Sequence, residues 1–227
     1  MLNDLLRKDF IVHYNITSKD VVVDYQTTAA EEFDLDDMPS PIKILPLGKG
    51  GLSFEGNSEQ IEVVHYEDFI AQCKKPQVFA NGRKRCDYVV CSMRQAENKG
   101  HVILAELTSA LGGAYNLARP IRKGQDLEYR GGKYEKAAKQ LGESLATLME
   151  VPTIRSYFNC MEDKQCLMAY KINSYDDPLK RMLHPMDRYL MIESAETQNN
   201  GAEITDVIIN SFGFTYRRIR HGAYYQL

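Results

Sequence analysis

Two acidic residues stand inside apolar, strand-like segments, and they are the first candidates for chemistry. Glu106 lies in HVILAEL (101–107), where strand alternation places it on the same face as Leu104. Asp87 lies in RCDYVVCSM (85–93), which is also rich in β-branched and apolar residues. A carboxylate set among apolar side chains is costly to bury unless a partner compensates it. At both positions we therefore expect a partner that offsets the cost of burying the carboxylate.

The spacing of the two segments predicts that these carboxylates face each other. The polar run RQAENKG joins the segments, which indicates a β-hairpin. If the turn is symmetric about Ala96–Glu97, facing residues have numbers that sum to 193, and Asp87 and Glu106 meet this condition. Their Cβ atoms would lie about 5 Å apart. Like charges at this distance require a cation, a shared proton or a basic partner.

A divalent metal is one answer, because Mg²⁺ is commonly held by one or two carboxylates together with substrate phosphate. Simpler roles are open at this point. Asp87 could cap the start of its strand and pair with Arg85 or Lys84, and Glu106 could pair with the helix that follows. A register slip of one residue would also place the two acids on opposite faces.

The elements around this hairpin predict a mixed α/β domain. KYEKAAKQLGESLATLME (133–150) has apolar residues at three- and four-residue spacing and predicts a helix between Gly131-Gly132 and Pro152. IEVVHYEDFIAQC (61–73) predicts a strand that runs into a short helix. Further strands are predicted in VVVDY (21–25), IKILPLG (42–48), TIRSYFN (153–159), QCLMAYKI (165–172), MDRYLMIE (186–193), ITDVIIN (204–210) and FTYRRIR (214–220). The acidic stretch EEFDLDDMPSP (31–41) predicts a loop.

The predicted architecture is α+β, with a mixed β-sheet core flanked by helices. The 227 residues suit one domain, with N-terminal strands and loops in 1–80, a core in 85–172 and C-terminal strands in 186–227. The formal net charge of -3 provides no global basic field, so nucleic-acid contacts would need a local patch. Five cysteines without a C-x-x-C pair argue against structural zinc. No apolar run reaches membrane-spanning length, and a cytoplasmic location is expected.

The order C-D-Y-V-V, a short loop, V-I-L-A-E-L and then a helix with K-x-x-K-Q-L resembles the PD-(D/E)XK nuclease superfamily, which has the restriction-endonuclease-like fold. The resemblance covers about 85 residues, from Arg85 to Lys171. It implies that Asp87 and Glu106 hold Mg²⁺ or Mn²⁺ and that Gln140 supports the site from the helix. It also implies an additional acid on the preceding helix, for which Glu67 or Asp68 is the candidate.

The chain departs from the family pattern at one position. The family lysine stands two residues after the second acid, where this chain has Thr108. Threonine cannot supply the positive charge that stabilises the transition state. Lys133 and Lys136 on the helix are the candidates for a relocated lysine. The resemblance therefore implies a metal-dependent nuclease or, alternatively, a catalytically inactive relative that serves as a binding or assembly subunit of a mobile-element or defence module.

Two basic and aromatic segments are candidates for nucleic-acid contact, and in each the alternative is an ordinary solvated surface. The insertion after Glu106 carries Arg119, Arg122, Lys123 and Arg130, interleaved with Tyr115 and Tyr129. The C-terminal FTYRRIRHGAYY (214–225) carries Arg217, Arg218, Arg220 and His221. Nucleic acid is the expected partner and no membrane contact is expected. A domain of this size could also form a homodimer or bind a partner protein.

Overall fold

The computed structural model describes residues 1–16, 21–73, 85–93, 100–110, 119–123, 126–130, 133–172 and 195–227. It describes only the backbone of residues 109, 110, 119–123, 126–130, 133, 171 and 172. The turn of the predicted hairpin, Gly131-Gly132 and the predicted strand MDRYLMIE lie outside the described residues.

Within the described residues, twelve strands form three sheets. They are β1 (Tyr25–Thr28), β2 (Phe33–Leu35), β3 (Leu52–Glu55), β4 (Ile61–His65), β5 (Tyr88–Ser92), β6 (His101–Ala110), β7 (Arg119–Lys123), β8 (Asp126–Arg130), β9 (Asp163–Ile172), β10 (Ala202–Ile204), β11 (Thr215–Arg220) and β12 (Tyr224–Gln226). The central sheet has seven strands in the order β1-β4-β5-β6-β9-β11-β10. Its strands pair antiparallel except that β9 runs parallel to both β6 and β11. The strands of this sheet come from all three segments that the sequence analysis distinguished, 1–80, 85–172 and 186–227.

The helices flank the central sheet. They are α1 (Leu2–Leu5), a π-turn (Leu6–Phe10), α2 (Ile11–His13), α3 (Tyr66–Gln72), α4 (Lys133–Glu150), α5 (Pro152–Asn159), a 3₁₀ turn (Ala195–Thr197) and α6 (Val207–Ser211). None of the helices in the described ranges is long and apolar enough to cross a bilayer. The bounds of α4 agree with the sequence prediction, because its Leu141, Leu145 and Leu148 are buried on one face.

Strand alternation divides the hydrophobic residues between two cores. Val89 and Leu104 belong to the core beneath α4, whereas Val90 and Ile103 belong to the core shared with the small sheet β12-β3-β2. We call the α4 side of the central sheet the helix-side face. The result is a helix layer, a mixed sheet and a smaller sheet, which confirms the predicted α+β class.

The predicted hairpin register is confirmed. Tyr88 faces Ala105, Val89 faces Leu104 and Cys91 faces Val102, so the numbers of facing residues sum to 193. Odd-numbered residues of β5 therefore lie on the same face as even-numbered residues of β6. The face of a carboxylate at position 87 or 106 follows from this register.

Several local predictions were wrong. TIRSYFN forms α5, and its buried residues Ile154, Tyr157 and Phe158 have helical spacing. ITDVIIN contains the end of β10 and the helix α6, where Asp206 accepts hydrogen bonds from two backbone amides as the N-cap. In VVVDY only Tyr25 lies in a strand, and IKILPLG contributes a single bridge at Leu45. The acidic stretch predicted as a loop contains β2.

Glu62, in the middle of β4, anchors the N-terminal helical segment. The side chain is fully buried, and its carboxylate accepts hydrogen bonds from the backbone N–H of Leu2 at 2.7 Å and from the side-chain amide of Asn3. Burial raises the pKa of Glu62, and these donors partly offset that rise. The carboxylate thus satisfies amides at the start of a helix, which otherwise have no partner within the helix.

We expect Glu62→Ala to lower the free energy of unfolding by about 2–4 kcal/mol, because a helix cap is lost and buried donors are left unpaired. Urea denaturation measures the change. The exposed Glu32→Ala variant is the control and should unfold at the wild-type midpoint. An unchanged midpoint for Glu62→Ala would show that the anchor contributes nothing to stability.

Candidate functional site

The two acids meet on the helix-side face of the sheet. Asp87 directly precedes β5, and its backbone N–H donates to the carbonyl of Ala105 at 3.0 Å. The paired register of β5 and β6 ends at Tyr88 and Ala105, and Asp87 lies at a bend just outside it. The charge of Asp87 acts on Glu106, so the two carboxylates are neighbours. Leu104 and Val89, which share their face, belong to the core beneath α4.

Both carboxylates are almost fully buried, with Asp87 7% and Glu106 6% exposed. The backbone N–H of Leu107 donates to Asp87 Oδ2 at 2.6 Å, which fixes the orientation of that carboxylate. Glu106 Oε2, in contrast, has no hydrogen-bond partner among the described residues. The simple roles therefore account for one oxygen of Asp87 and, through a side-chain hydrogen bond with Gln140, for part of the Glu106 carboxyl group, but they leave Glu106 Oε2 without a partner.

Helix α4 presents one line of polar residues to this site. Ser144 Oγ accepts a hydrogen bond from the backbone N–H of Cys86 at 2.8 Å. One turn earlier, Gln140 Nε2 donates to the carbonyl of Arg85 at 2.8 Å. Gln140 is 8% exposed, and its Oε1 lacks a partner within the described part of the chain. Lys136 lies one turn before Gln140 in the helix and is exposed. The four-residue spacing puts all three on one helix face.

Helix α3 begins directly behind Asp87. The backbone N–H groups of Tyr66 and Glu67 donate to the carbonyl of Asp87 at 2.8 and 3.2 Å. The Glu67 carboxylate pairs with Arg85, with Nε and Oε1 3.4 Å apart, so the basic residue considered as a partner for Asp87 lies against Glu67. Asp68, the other candidate acid, accepts a hydrogen bond from Gln72 at 2.9 Å.

The pKa values of both carboxyl groups, Asp87 and Glu106, are raised. Burial is the largest cause, and it raises the pKa of Asp87 to about 7 and the pKa of Glu106 to about 9. The charge of Asp87 raises the pKa of Glu106 further, and Glu67 raises both pKa values. The ammonium of Lys136 lowers both, and the Leu107 amide lowers the pKa of Asp87. At neutral pH without a cation, Glu106 therefore stays protonated.

A cavity of about 210 Å³ lies near the C-terminal ends of β6 and β9, and neither Asp87 nor Glu106 lines it. Its lining residues are Asp36, Asp37, Gly51, Leu107, Thr108, Ala169 and Tyr170. Thr108, at the position of the family lysine, is partly exposed here. The charge of Asp37 raises the pKa of Asp87. The sequence analysis assigned Asp37 to an acidic loop, and the adjacent strand β2 is what brings it to the site.

The predicted basic residues divide into three groups. Arg119, Arg122, Lys123 and Arg130 lie on the hairpin β7-β8, and Lys133 is the first residue of α4, but their side chains lie outside the described part. Arg217 pairs with Glu203 at 3.0 Å and donates to Gln165 at 3.2 Å. Arg218 pairs with Glu196 at 3.0 Å. To bind a phosphate, Arg217 or Arg218 would have to exchange an internal partner, and all these nucleic-acid contacts stay predictions.

The donor atoms at the site suit a hard cation. No group of three histidine, cysteine, aspartate or glutamate side chains that could hold a metal occurs in the described ranges. Two carboxylates and the unpartnered carbonyl oxygen of Gln140 are nevertheless all oxygen donors, as Mg²⁺ and Mn²⁺ prefer. Mg²⁺ often takes one or two protein carboxylates and completes its shell with substrate and water.

Comparisons with known proteins identify no relative: no protein-family model matches the chain, and no significant match was found among the curated proteins or the solved structures.

Proposed function

We propose that this protein is a metal-dependent nuclease that hydrolyses phosphodiester bonds in DNA or RNA. The observation that carries the proposal is the pair of neighbouring carboxylates, Asp87 and Glu106, each more than nine-tenths buried. Beside them, Glu106 Oε2 and Gln140 Oε1 lack hydrogen-bond partners among the residues described. Asp87 and Glu106 would hold Mg²⁺ or Mn²⁺, and Gln140 would support the site.

A purely structural pair explains these features less well. A buried polar atom without a partner costs about 1–3 kcal/mol, and a second carboxylate opposite the first adds repulsion. Replacing either acid with an apolar residue would remove both costs. A cation bound between the carboxylates instead compensates the charge and gives the unpartnered oxygens a ligand.

Each residue of the site has a defined part in the proposed reaction. The bound cation would polarise the phosphoryl group and lower the pKa of an attacking water. Asp87 is held in place by the Leu107 amide, so its free oxygen is oriented before substrate arrives. Lys136, whose charge already acts on both acids, supplies positive charge to the transition state in place of the absent lysine at Thr108.

The substrate class rests on the resemblance and on the position of the basic segment. Between β6, which carries Glu106, and α4, which carries Gln140, the chain inserts the hairpin β7-β8 with four basic residues. Lysine and arginine near a metal site favour a phosphodiester backbone. DNA and RNA share this backbone, and the choice between them is an outcome of the assay below.

The test is cleavage of plasmid DNA, single-stranded DNA and RNA with Mg²⁺ or Mn²⁺ and with EDTA. We expect metal-dependent cleavage by the wild type and its loss in Asp87→Ala and Glu106→Ala. Glu135→Ala, an exposed acid on the same helix as Gln140, is the matched control and should cleave normally. Full metal-dependent cleavage by Asp87→Ala would contradict the proposal.

The second candidate is a catalytically inactive binding or assembly subunit. Two observations favour it: Thr108 stands at the lysine position, and the described residues provide no cluster of three metal-binding acids, histidines or cysteines. Tight binding of nucleic acid by well-folded wild-type protein, with no cleavage of any of the three substrates, would replace the first proposal with this one.

A further inference from the structure

Arg218 lies in the same row of the central sheet as Glu106. The β6-β9 register places Glu106 beside Met168, and the β9-β11 register places Met168 beside Arg218. Two strand spacings separate Glu106 and Arg218, or about 10 Å between backbones. Arg218 lies on the helix-side face, because its guanidinium carbon sits 4.4 Å above the ring of Tyr134 in α4.

The guanidinium of Arg218 is only partly satisfied. Its Nη2 lies 3.0 Å from Glu196 Oε1, and the other oxygen of Glu196 accepts a hydrogen bond from the hydroxyl of Tyr170. Glu196 thus spreads its two oxygens over two partners. Arg218 Nε is left buried with no hydrogen-bond partner within the described ranges. Arginine usually engages anions through two parallel N–H bonds, so this pairing leaves one strong donor unused.

A phosphoryl group fits these donors better than Glu196 does. It can accept from Nε and Nη2 of Arg218 with two oxygens and from the Tyr170 hydroxyl with a third. A phosphodiester carries one negative charge, so its exchange with Glu196 keeps the charge of the guanidinium compensated. Glu196 lies in a short 3₁₀ turn, Ala195–Thr197, and not in a strand of the sheet. Tyr170 also lines the cavity that Thr108 lines.

We propose that Arg218 and Tyr170 form a phosphoryl-binding subsite beside the carboxylate pair, and that Glu196 occupies it in the free protein. The ligand chemistry is a phosphoryl group, either inorganic phosphate or the backbone phosphate of a nucleic acid. In the second case the subsite holds a phosphate that flanks the scissile bond, and this role rests on the proposed function.

Arg155 and Glu32 provide controls outside the candidate binding residues. Arg155 is exposed on α5, where its Nε donates to the carbonyl of Met149, and Glu32 is exposed as well. Arg155→Lys and Glu32→Gln therefore make the same two changes of residue type without touching the subsite. Arg218→Lys keeps the positive charge and removes the paired N–H geometry, and Glu196→Gln keeps the size of the internal occupant and removes its charge.

The experiment measures binding without metal, in EDTA, by fluorescence anisotropy for a single-stranded oligonucleotide and by calorimetry for inorganic phosphate. We expect Glu196→Gln to tighten binding at least threefold and Arg218→Lys to weaken it at least fivefold. Because Arg218→Lys keeps the positive charge, the slope of log K against log salt should stay close to that of the wild type. Arg155→Lys and Glu32→Gln should stay within twofold of the wild type. Thermal unfolding by circular dichroism checks that every variant is folded.

The two ligands distinguish the sources. Changes with both ligands indicate a general phosphoryl site, and changes with the oligonucleotide alone indicate a backbone-phosphate site. Equal effects of the Arg155 and Arg218 variants, or no binding by any variant including Glu196→Gln, would overturn the subsite. The nuclease assay tests the proposed function separately. If cleavage requires Asp87 but Arg218→Lys does not weaken binding, the proposed function stands and the subsite is excluded. If Arg218→Lys weakens binding but cleavage does not require Asp87, the subsite stands and the proposed function is excluded.

Discussion

Glu106→Gln is expected to abolish metal-dependent cleavage, by at least about a thousandfold, and at the same time to stabilise the metal-free protein at alkaline pH. Glutamine keeps the size of the side chain, so the packing between Gln140 and the sheet is preserved. It cannot provide an anionic ligand, and it cannot carry the buried charge. Loss of activity together with a gain in stability is the signature of a residue kept for function.

The sign of the pH effect follows from the raised pKa of Glu106. Burial raises this pKa from 4.5 to about 9, so the folded protein binds the proton more tightly than the unfolded chain does. The stability that Glu106 contributes is complete below pH about 4.5 and is lost as the pH rises towards 9. Each pKa unit corresponds to about 1.4 kcal/mol, so the loss amounts to a few kcal/mol across this window. Glutamine has no proton to lose.

The measurement is chemical denaturation in EDTA at several pH values between 5 and 9. The wild type should lose stability with rising pH more steeply than Glu106→Gln. In the wild type, Mn²⁺ should restore stability at high pH, and its affinity should increase with pH because binding displaces the proton. The exposed Glu135→Gln control should follow the wild type throughout. A Glu106→Gln variant that cleaves normally, or that is less stable than the wild type at pH 9, contradicts the assignment of Glu106.

Lys136→Ala is expected to reduce turnover by about 10²–10³-fold, because it removes a positive charge that acts on both acids. Mn²⁺ affinity should hold or rise slightly, since removing a cation reduces repulsion of the metal. Introducing Thr108→Lys in the Lys136→Ala background should restore much of the activity, because residue 108 is partly exposed and follows Glu106 by two positions. The rescue tests whether positive charge at this place is what the reaction needs.

Cleavage by the single and double variants, measured at saturating Mn²⁺, tests whether Lys136 supplies this positive charge. Lys139→Ala is the control, because Lys139 lies on the same helix but pairs with Glu143 at 3.7 Å. Lys133→Ala tests the other candidate lysine. If Lys136→Ala cleaves like the wild type and Lys133→Ala does not, the relocated lysine is Lys133. If neither loses activity, no lysine of α4 takes part.

Much of the candidate site was predictable from the sequence because it depends on local periodicity. The hairpin β5-β6 is antiparallel with a short connection, so a symmetric turn predicted the register that pairs Tyr88 with Ala105, next to Asp87 and Glu106. Helix α4 has three buried leucines at helical spacing, and its bounds followed from that pattern, whereas Gln140 was implied by the family resemblance. In both cases the information lies within about twenty residues of chain.

The tertiary structure decided what depends on contacts between distant segments. TIRSYFN reads equally well as a strand, because seven residues with apolar side chains at positions 154, 157 and 158 are too few to separate the two periods, and packing against the sheet selected the helix α5. The partners of Arg217 and Arg218 come from Glu203 and Glu196, and Asp37 reaches the acids through the small sheet. The sequence by itself determined which residues face each other across one hairpin; only the folded chain determined burial, which raises the pKa of both acids and makes their pairing costly enough to require an explanation.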